Sequence, residues 1–285
     1  MLSHSQNFIN NKELVRDLIS FIPEKSAGTV VEIGPGKGVI TDALLEKYAH
    51  VIAIEADRNL FENLKQKYEK KNITLICTDF MSQPLPVKPF DIVSNIPFNI
   101  TANIIRKITD DRSQLNEAYL IVQKEAAQKF VGVPHSESSL ISNILKVRYR
   151  VEILKEISRN NFTPRPKFNA AFLAIQKRKD DTFNNYVVEI KFRDFISYLF
   201  SRSRPILKDA LKSIFSNVQI SIILKENKLS QSILIKQVSF EVWLSIFKSY
   251  LTYTSEETKG KVTGTYKNLL KEQSKLQKTN RTRKY

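Results

Sequence analysis

Three motifs in the first eighty residues carry residue types that a nucleotide-like ligand needs, and a fourth follows them. The first is Val31-Glu32-Ile33-Gly34-Pro35-Gly36-Lys37-Gly38, a turn with glycines at 34, 36 and 38. Glycines there let backbone pass close to a ligand at a helix N-terminus. Their G-x-G-x-G spacing departs from the G-x-G-x-x-G of dinucleotide binding and argues against NAD. About twenty residues on comes Glu55 in "IEAD", where a carboxylate can accept hydrogen bonds from a ribose diol. Asp79 in "TDF" can accept from the exocyclic amine of an adenine. The fourth motif, "SNIPFNI" from Ser94 to Ile100, follows the apolar run Phe90–Val93. A turn can use its Asn and Pro but has no need of Phe98. Each motif alone also reads as an ordinary turn or helix cap; the ordered set is what points to a site.

The elements between the motifs explain the order. Strand-like runs at 28–34, 51–57, 73–79, 90–95 and 117–123 alternate with helical runs at 38–48, 60–69, 101–108 and 124–130. Repeated β-α units with near-continuous apolar strands predict a parallel, Rossmann-like sheet with helices on both faces. In such a sheet ligands bind at the carboxyl ends of the strands, where all four motifs fall. Residues 142–157 and 170–176 are expected to finish the sheet as a hairpin across the proline-interrupted "SRNNFTPRPKFN". Beyond 178 the spacing turns helical, with Pro205 at a helix start, Ser239 as an N-cap, and Trp243, Ile246, Phe247 and Tyr250 on one apolar face. The expected domains are a catalytic domain at 1–178, a small all-α domain at 179–254, and a basic, disordered tail at 255–285.

Charge sets the partner class. Lys and Arg number 45 against 29 Asp and Glu, a formal net charge of +16. The excess is uneven: residues 144–178 hold nine Lys/Arg against Glu152 and Glu156, and residues 255–285 hold nine against three Glu. A field of that sign suits a polyanion such as nucleic acid, although a lysine-rich solubilising surface gives the same totals. One cysteine, Cys77, rules out an internal disulfide framework and a thiolate metal cluster, and reads as a buried strand residue. His4, His50 and His135 are scattered, with no nucleophile or carboxylate partner at a telling spacing. No metal site is visible, no run is long enough to span a bilayer, and the N-terminus lacks a signal-peptide core. A cytoplasmic monomer is expected.

Together "VEIGPGKG", "IEAD", "TDF" and "NIPF" resemble the S-adenosylmethionine-dependent rRNA adenine methyltransferases, and "SQNFI" at 5–9 resembles that family's cofactor-covering Q-N-F-[IL] element. The resemblance implies that Asn7, Ile9, Gly34, Gly36, Glu55, Asp79 and Asn95 contact S-adenosylmethionine. A sulfonium methyl is already electrophilic, so transfer needs positioning more than acid–base catalysis. The catalytic set is then Asn95, Ile96, Pro97 and Phe98. The Asn95 side-chain oxygen and the carbonyl of Ile96 or Pro97 would accept the two amine protons, and Phe98 would stack on a flipped base. Phe162 resembles the family's second aromatic, which would make a sandwich; its plainer reading is a core aromatic. Many relatives carry Tyr where this chain has Phe98, so a hydroxyl contact is not available here. Isoleucine in "NIPF", the following "NITANIIRKI" and the C-terminal "ALKSIFSN" look more like the Erm group than the KsgA type, which tends to read N-L-P-Y. The expected activity is methylation of one adenine of 23S rRNA, giving macrolide, lincosamide and streptogramin B resistance. The alternative is KsgA-type dimethylation of adjacent adenines in small-subunit rRNA. A non-catalytic RNA-binding factor and a DNA adenine methyltransferase are weaker rivals, against which the intact "NIPF", and the Q-N-F element with the helical domain, respectively argue.

Overall fold

The computed structural model describes residues 7–9, 11–180, 182–183, 185–202 and 204–272. His4, Ser5 and Gln6 lie outside the described residues. The strands are β1 (Phe8–Ile9), β2 (Lys25–Ile33), β3 (Tyr48–Glu55), β4 (Ile73–Cys77), β5 (Phe90–Asn95), β6 (Leu115–Gln123), β7 (Tyr149–Ile157), β8 (Phe162–Thr163) and β9 (Ala170–Lys177). The helices are α1 (Lys12–Ser20), α2 (Val39–Lys47), α3 (Arg58–Lys67), α4 (Thr101–Ile108), α5 (Lys124–Val131), α6 (Leu140–Arg148), α7 (Tyr186–Phe200), α8 (Leu207–Leu211), α9 (Asn217–Glu226), α10 (Phe240–Tyr253) and α11 (Glu256–Val262). Two compact units result: Met1–Gln128 with Tyr149–Lys179, and Lys129–Arg148 with Asp180–Tyr285.

The first unit is built on a seven-stranded sheet in the order β4-β3-β2-β5-β6-β9-β7. β2 to β6 are mutually parallel, and β9 runs antiparallel between β6 and β7. Chain order reverses direction between β2 and β5, so their carboxyl ends form the crevice where doubly wound sheets bind ligands. Central strands carry apolar side chains on both faces: Val30, Val31, Ile92 and Val93 are all at most 2% exposed. Helix starts are set by short polar caps. The Asn11 side chain accepts from Leu14 N–H at α1, and Asp57 accepts from Asn59 and Leu60 N–H at α3.

Two expectations about this unit need correction. The segment 142–157 is not all strand: α6 runs to Arg148 and only Tyr149–Ile157 pairs with β9. Amphipathic alternation over the short "LKVRYRV" fits either period, and the packing decides: Val147 joins the core of the second unit. Consequently residues 129–148 leave the unit expected to span 1–178. Cys77 is exposed rather than buried, because β4 is an edge strand with a single neighbour.

The second unit is helical around a core that includes Phe192, Phe195, Leu211, Trp243, Ile246, Phe247 and Tyr250. Ser239 caps α10 by accepting from Val242 N–H, and the four-residue apolar face of α10 is buried as its spacing requires. Pro205 precedes α8 by two residues; its carbonyl accepts from Ile235 N–H at 2.8 Å. Residues 255–272, expected to be disordered, are instead α11 followed by helical residues 265–272. One buried side chain, Val262, and one buried carboxylate hold them: Asp194 accepts from the N–H groups of Gly264 and Tyr266, both at 2.9 Å. Residues 273–285 of the expected tail lie outside the described residues.

Candidate active site

The turn after β2 supplies the first wall. Gly34, Gly36 and Gly38 have φ of 65°, 59° and 80°, values that side chains rarely adopt. Gly36 also has no room: a Cβ there would lie 2.6 Å from Cε1 of Phe8, whose ring lies over the turn. Gly38 caps α2 in the left-handed conformation and is braced by the Tyr68 hydroxyl, which donates to its carbonyl at 2.9 Å and to Asp42 at 2.7 Å.

Glu55, at the end of β3, is fully buried. Its Oε2 accepts from Gly36 N–H at 3.0 Å and its Oε1 from Asp57 N–H at 2.9 Å. It therefore holds the glycine turn as well as standing where a ribose acceptor was expected; each oxygen keeps a further lone pair. Asp79 follows β4 and is exposed. Its Oδ1 accepts from Met81 N–H at 2.9 Å, and its carbonyl accepts from Ser82 and Gln83, closing a tight loop.

Glu32 escaped the sequence reading as a site residue, although its place before the glycine turn was the available signal. It is 1% exposed, lines the crevice beside Phe8, Ile9, Gly34 and Asn95, and its Oε2 accepts from Thr41 Oγ1 at 2.6 Å. Burial pushes its pKa up to about 8, with the Thr41 hydrogen bond opposing the shift.

Asn95 is the last residue of β5. Its Nδ2 donates to the backbone carbonyl of Asn7 at 2.6 Å, so the N-terminal strap sets the amide's orientation. The other end of the amide, Oδ1, is buried and among the described residues has no hydrogen-bond partner. A buried acceptor left unsatisfied costs free energy and calls for an explanation. Asn95 lines a pocket together with Asn7, Phe8, Gly34, Ile96, Pro97 and Phe98. Ile96 itself is 2% exposed, and the Pro97 carbonyl accepts from Ile100 N–H at 3.2 Å in the turn that starts α4.

Phe98 is half-buried, and Phe162 is 3% exposed. Their ring centroids are 6.4 Å apart at an interplanar angle of 71°. That contact is edge-to-face, whereas a base held between the two rings would need them parallel. Phe162 lies in β8, pairs with Ile9 of β1 and packs in the core, so the plainer reading of it describes its geometry.

The chain thus brings Asn7, Ile9, Gly34 and Asn95 to the crevice, with Gly36 and Glu55 hydrogen-bonded to each other in the turn behind it and Asp79 on the loop after the edge strand β4. The polar groups fit S-adenosylmethionine: a glycine turn, carboxylates at the ends of successive strands, and a buried amide oxygen at the switch point that has no partner among the described residues. Fold and site define a class I, Rossmann-like methyltransferase with a C-terminal helical part.

Comparison with known proteins narrows the class. The model of the ribosomal RNA adenine dimethylase family matches residues 2–252, and the chain belongs to that family. It is an S-adenosylmethionine-dependent rRNA adenine methyltransferase. It is 29% identical over 253 residues to the ribosomal RNA small subunit methyltransferase A of Fusobacterium nucleatum, covering 87% of this chain and 96% of that one. It is 30% identical over 258 residues to an rRNA adenine N-6-methyltransferase of Bacteroides fragilis, covering 88% and 94%. The crystal structure of 23S rRNA methyltransferase ErmE aligns with a TM-score of 0.80 at 21% identity, over 86% of this chain and all of that one, a likeness of fold. Among the described residues no helix is long and apolar enough to cross a membrane.

Proposed function

We propose that this protein methylates the exocyclic amine of adenine in small-subunit rRNA, with Asn95 as the amine acceptor. The observation that carries the site reading is the orphaned Oδ1 of Asn95 beside Phe98. S-adenosylmethionine, held by Asn7, Ile9, Gly34, Gly36, Glu55, Asp79 and Asn95, supplies an electrophilic methyl. An adenine amine is a poor nucleophile because its lone pair is delocalised into the ring. Asn95 Oδ1 accepts one amine proton. The second falls to the carbonyl of Ile96 or of Pro97, the latter accepting from Ile100 N–H with one of its two lone pairs. Two acceptors favour the pyramidal amine and stabilise the positive charge it acquires on alkylation. Phe98 stacks on the flipped base, with Phe162 bracing it edge-on. The helical unit and the basic segments hold RNA through its phosphates.

The choice of the small subunit, the second of the two rRNA readings drawn from sequence, rests on the names of several of the most similar curated relatives. The 23S reading, with its antibiotic resistance, is favoured by Ile96 in "NIPF", by "ALKSIFSN", and by relatives named rRNA adenine N-6-methyltransferase. Primer extension on both rRNAs, after incubation of unmethylated ribosomal particles with protein and cofactor, tests the two together. Stops in small-subunit rRNA support the proposal, stops in 23S rRNA move it to the second reading, and failure of tritiated cofactor to label either rRNA refutes both.

A further inference from the structure

Lys107, in the last turn of α4, is a buried-end lysine that neither the glycine turn nor the "NIPF" corner uses. Its Nζ donates to three backbone carbonyls: Phe80 at 2.5 Å, Met81 at 3.0 Å and Gln83 at 2.5 Å. It also stands 4.7 Å from the centroid of the Phe80 ring. An ammonium has three N–H donors, so these carbonyls saturate it. All three belong to the loop that opens with Asp79, and that loop turns its carbonyls inward onto one cation. A loop needs no such cation merely to turn, because Asp79 already closes it through Met81, Ser82 and Gln83 N–H. The other end of α4 begins at Thr101, directly after the Phe98–Ile100 turn. One short helix therefore ties the target-base corner to the loop carrying Asp79.

We propose that Lys107 is a positioning residue for cofactor recognition: it holds the Asp79 loop so that the Asp79 carboxylate meets the exocyclic amine of the cofactor's adenine. This rests on the cofactor role of Asp79 above. Burial lowers the pKa of Lys107 while the Asp79 charge opposes that shift, so the pair is electrostatically linked. Lysine suits the task better than arginine, because a compact ammonium can face three convergent acceptors and a planar fork cannot.

The test compares binding of S-adenosylhomocysteine with its inosine analogue, which has an oxygen where adenine has the amine. Wild type is expected to prefer the adenine compound by about 10- to 100-fold, the worth of one hydrogen bond to a charged group. In Lys107→Met that preference is expected to fall to about 3-fold, with the loss in turnover lying in KM for the cofactor rather than in kcat. Lys107→Arg, which keeps the charge, restores part of the preference; it carries the test if Lys107→Met does not fold. Unchanged preference in the variants overturns the proposal. So does an equal loss for both compounds, which would make Lys107 a general prop of the loop. If wild type binds neither compound, the cofactor reading of the pocket falls and this inference with it.

Discussion

Asn95→Ala is the substitution that bears most directly on the chemistry. It removes a buried acceptor at the pocket that has no partner among the described residues, and with it the donor to the Asn7 carbonyl. A buried hydrogen bond to a group that gains charge is worth roughly 1.5–3 kcal/mol. At about 1.4 kcal/mol per tenfold, that is about a 10- to 150-fold loss in the methyl-transfer rate. The assay is single-turnover transfer of tritiated methyl to an rRNA fragment, with cofactor and RNA both saturating. Saturation separates the transfer step from any weakening of cofactor binding when the strap loses its bond. Asn95→Asp sharpens the test. Protonated, the acid can donate to Asn7 and still present a carbonyl oxygen; ionised, it sets an anion against the Asn7 carbonyl. Burial and that carbonyl both raise the new carboxyl's pKa, so its activity should fall as pH rises while wild type does not share the decline. A single-turnover rate for Asn95→Ala within about threefold of wild type would refute the acceptor role.

Other substitutions probe the walls. Gly36→Ala must adopt φ near 59° and place a methyl against Phe8; a loss of about 1–2 kcal/mol in urea unfolding, with weaker S-adenosylhomocysteine binding, is expected. Phe98→Ala should lower kcat/KM for RNA by about 10- to 100-fold while Phe98→Tyr retains it, since stacking on a base is worth about 1–3 kcal/mol. For Glu32 the folded pKa of about 8 lies above the ordinary 4.5, so the folded state keeps a proton that the unfolded chain sheds. Stability should therefore fall as pH rises from about 4.5 to about 8, and Glu32→Gln, whose amide oxygen still accepts from Thr41, should flatten that part of the urea-midpoint profile; an unchanged slope would remove Glu32 as its source.

The parallel sheet was legible because its signals are local. Phe90–Asn95 and Thr101–Ile108 have the boundaries read from the sequence, since an apolar run and a four-residue helical face each depend only on near neighbours. What failed was decided at a distance. Arg148 ends a helix because Val147 is needed in the second core, and Cys77 is exposed because β4 acquires one neighbour instead of two. Residues 255–272 carry almost no apolar pattern, yet Asp194 supplies the two acceptors that their backbone needs.

The site divides the same way. Residue types at strand ends announce which groups are present, because a topological switch point collects them whatever their partners. Which atom of each group remains free is fixed by contacts across long stretches of chain. Asn95 shows its oxygen, rather than its nitrogen, because a backbone carbonyl eighty-eight residues earlier takes the nitrogen. Phe162 meets Phe98 edge-on from a strand pinned to Ile9. The N-terminal strap therefore governs the site three times over: Asn7 orients the amide, Phe8 covers Gly36, and Ile9 fixes the aromatic that backs the stacking ring. A reading of the "NIPF" motif alone identifies the reacting corner but leaves the acceptor's orientation undetermined; that information resides in residues 7–9.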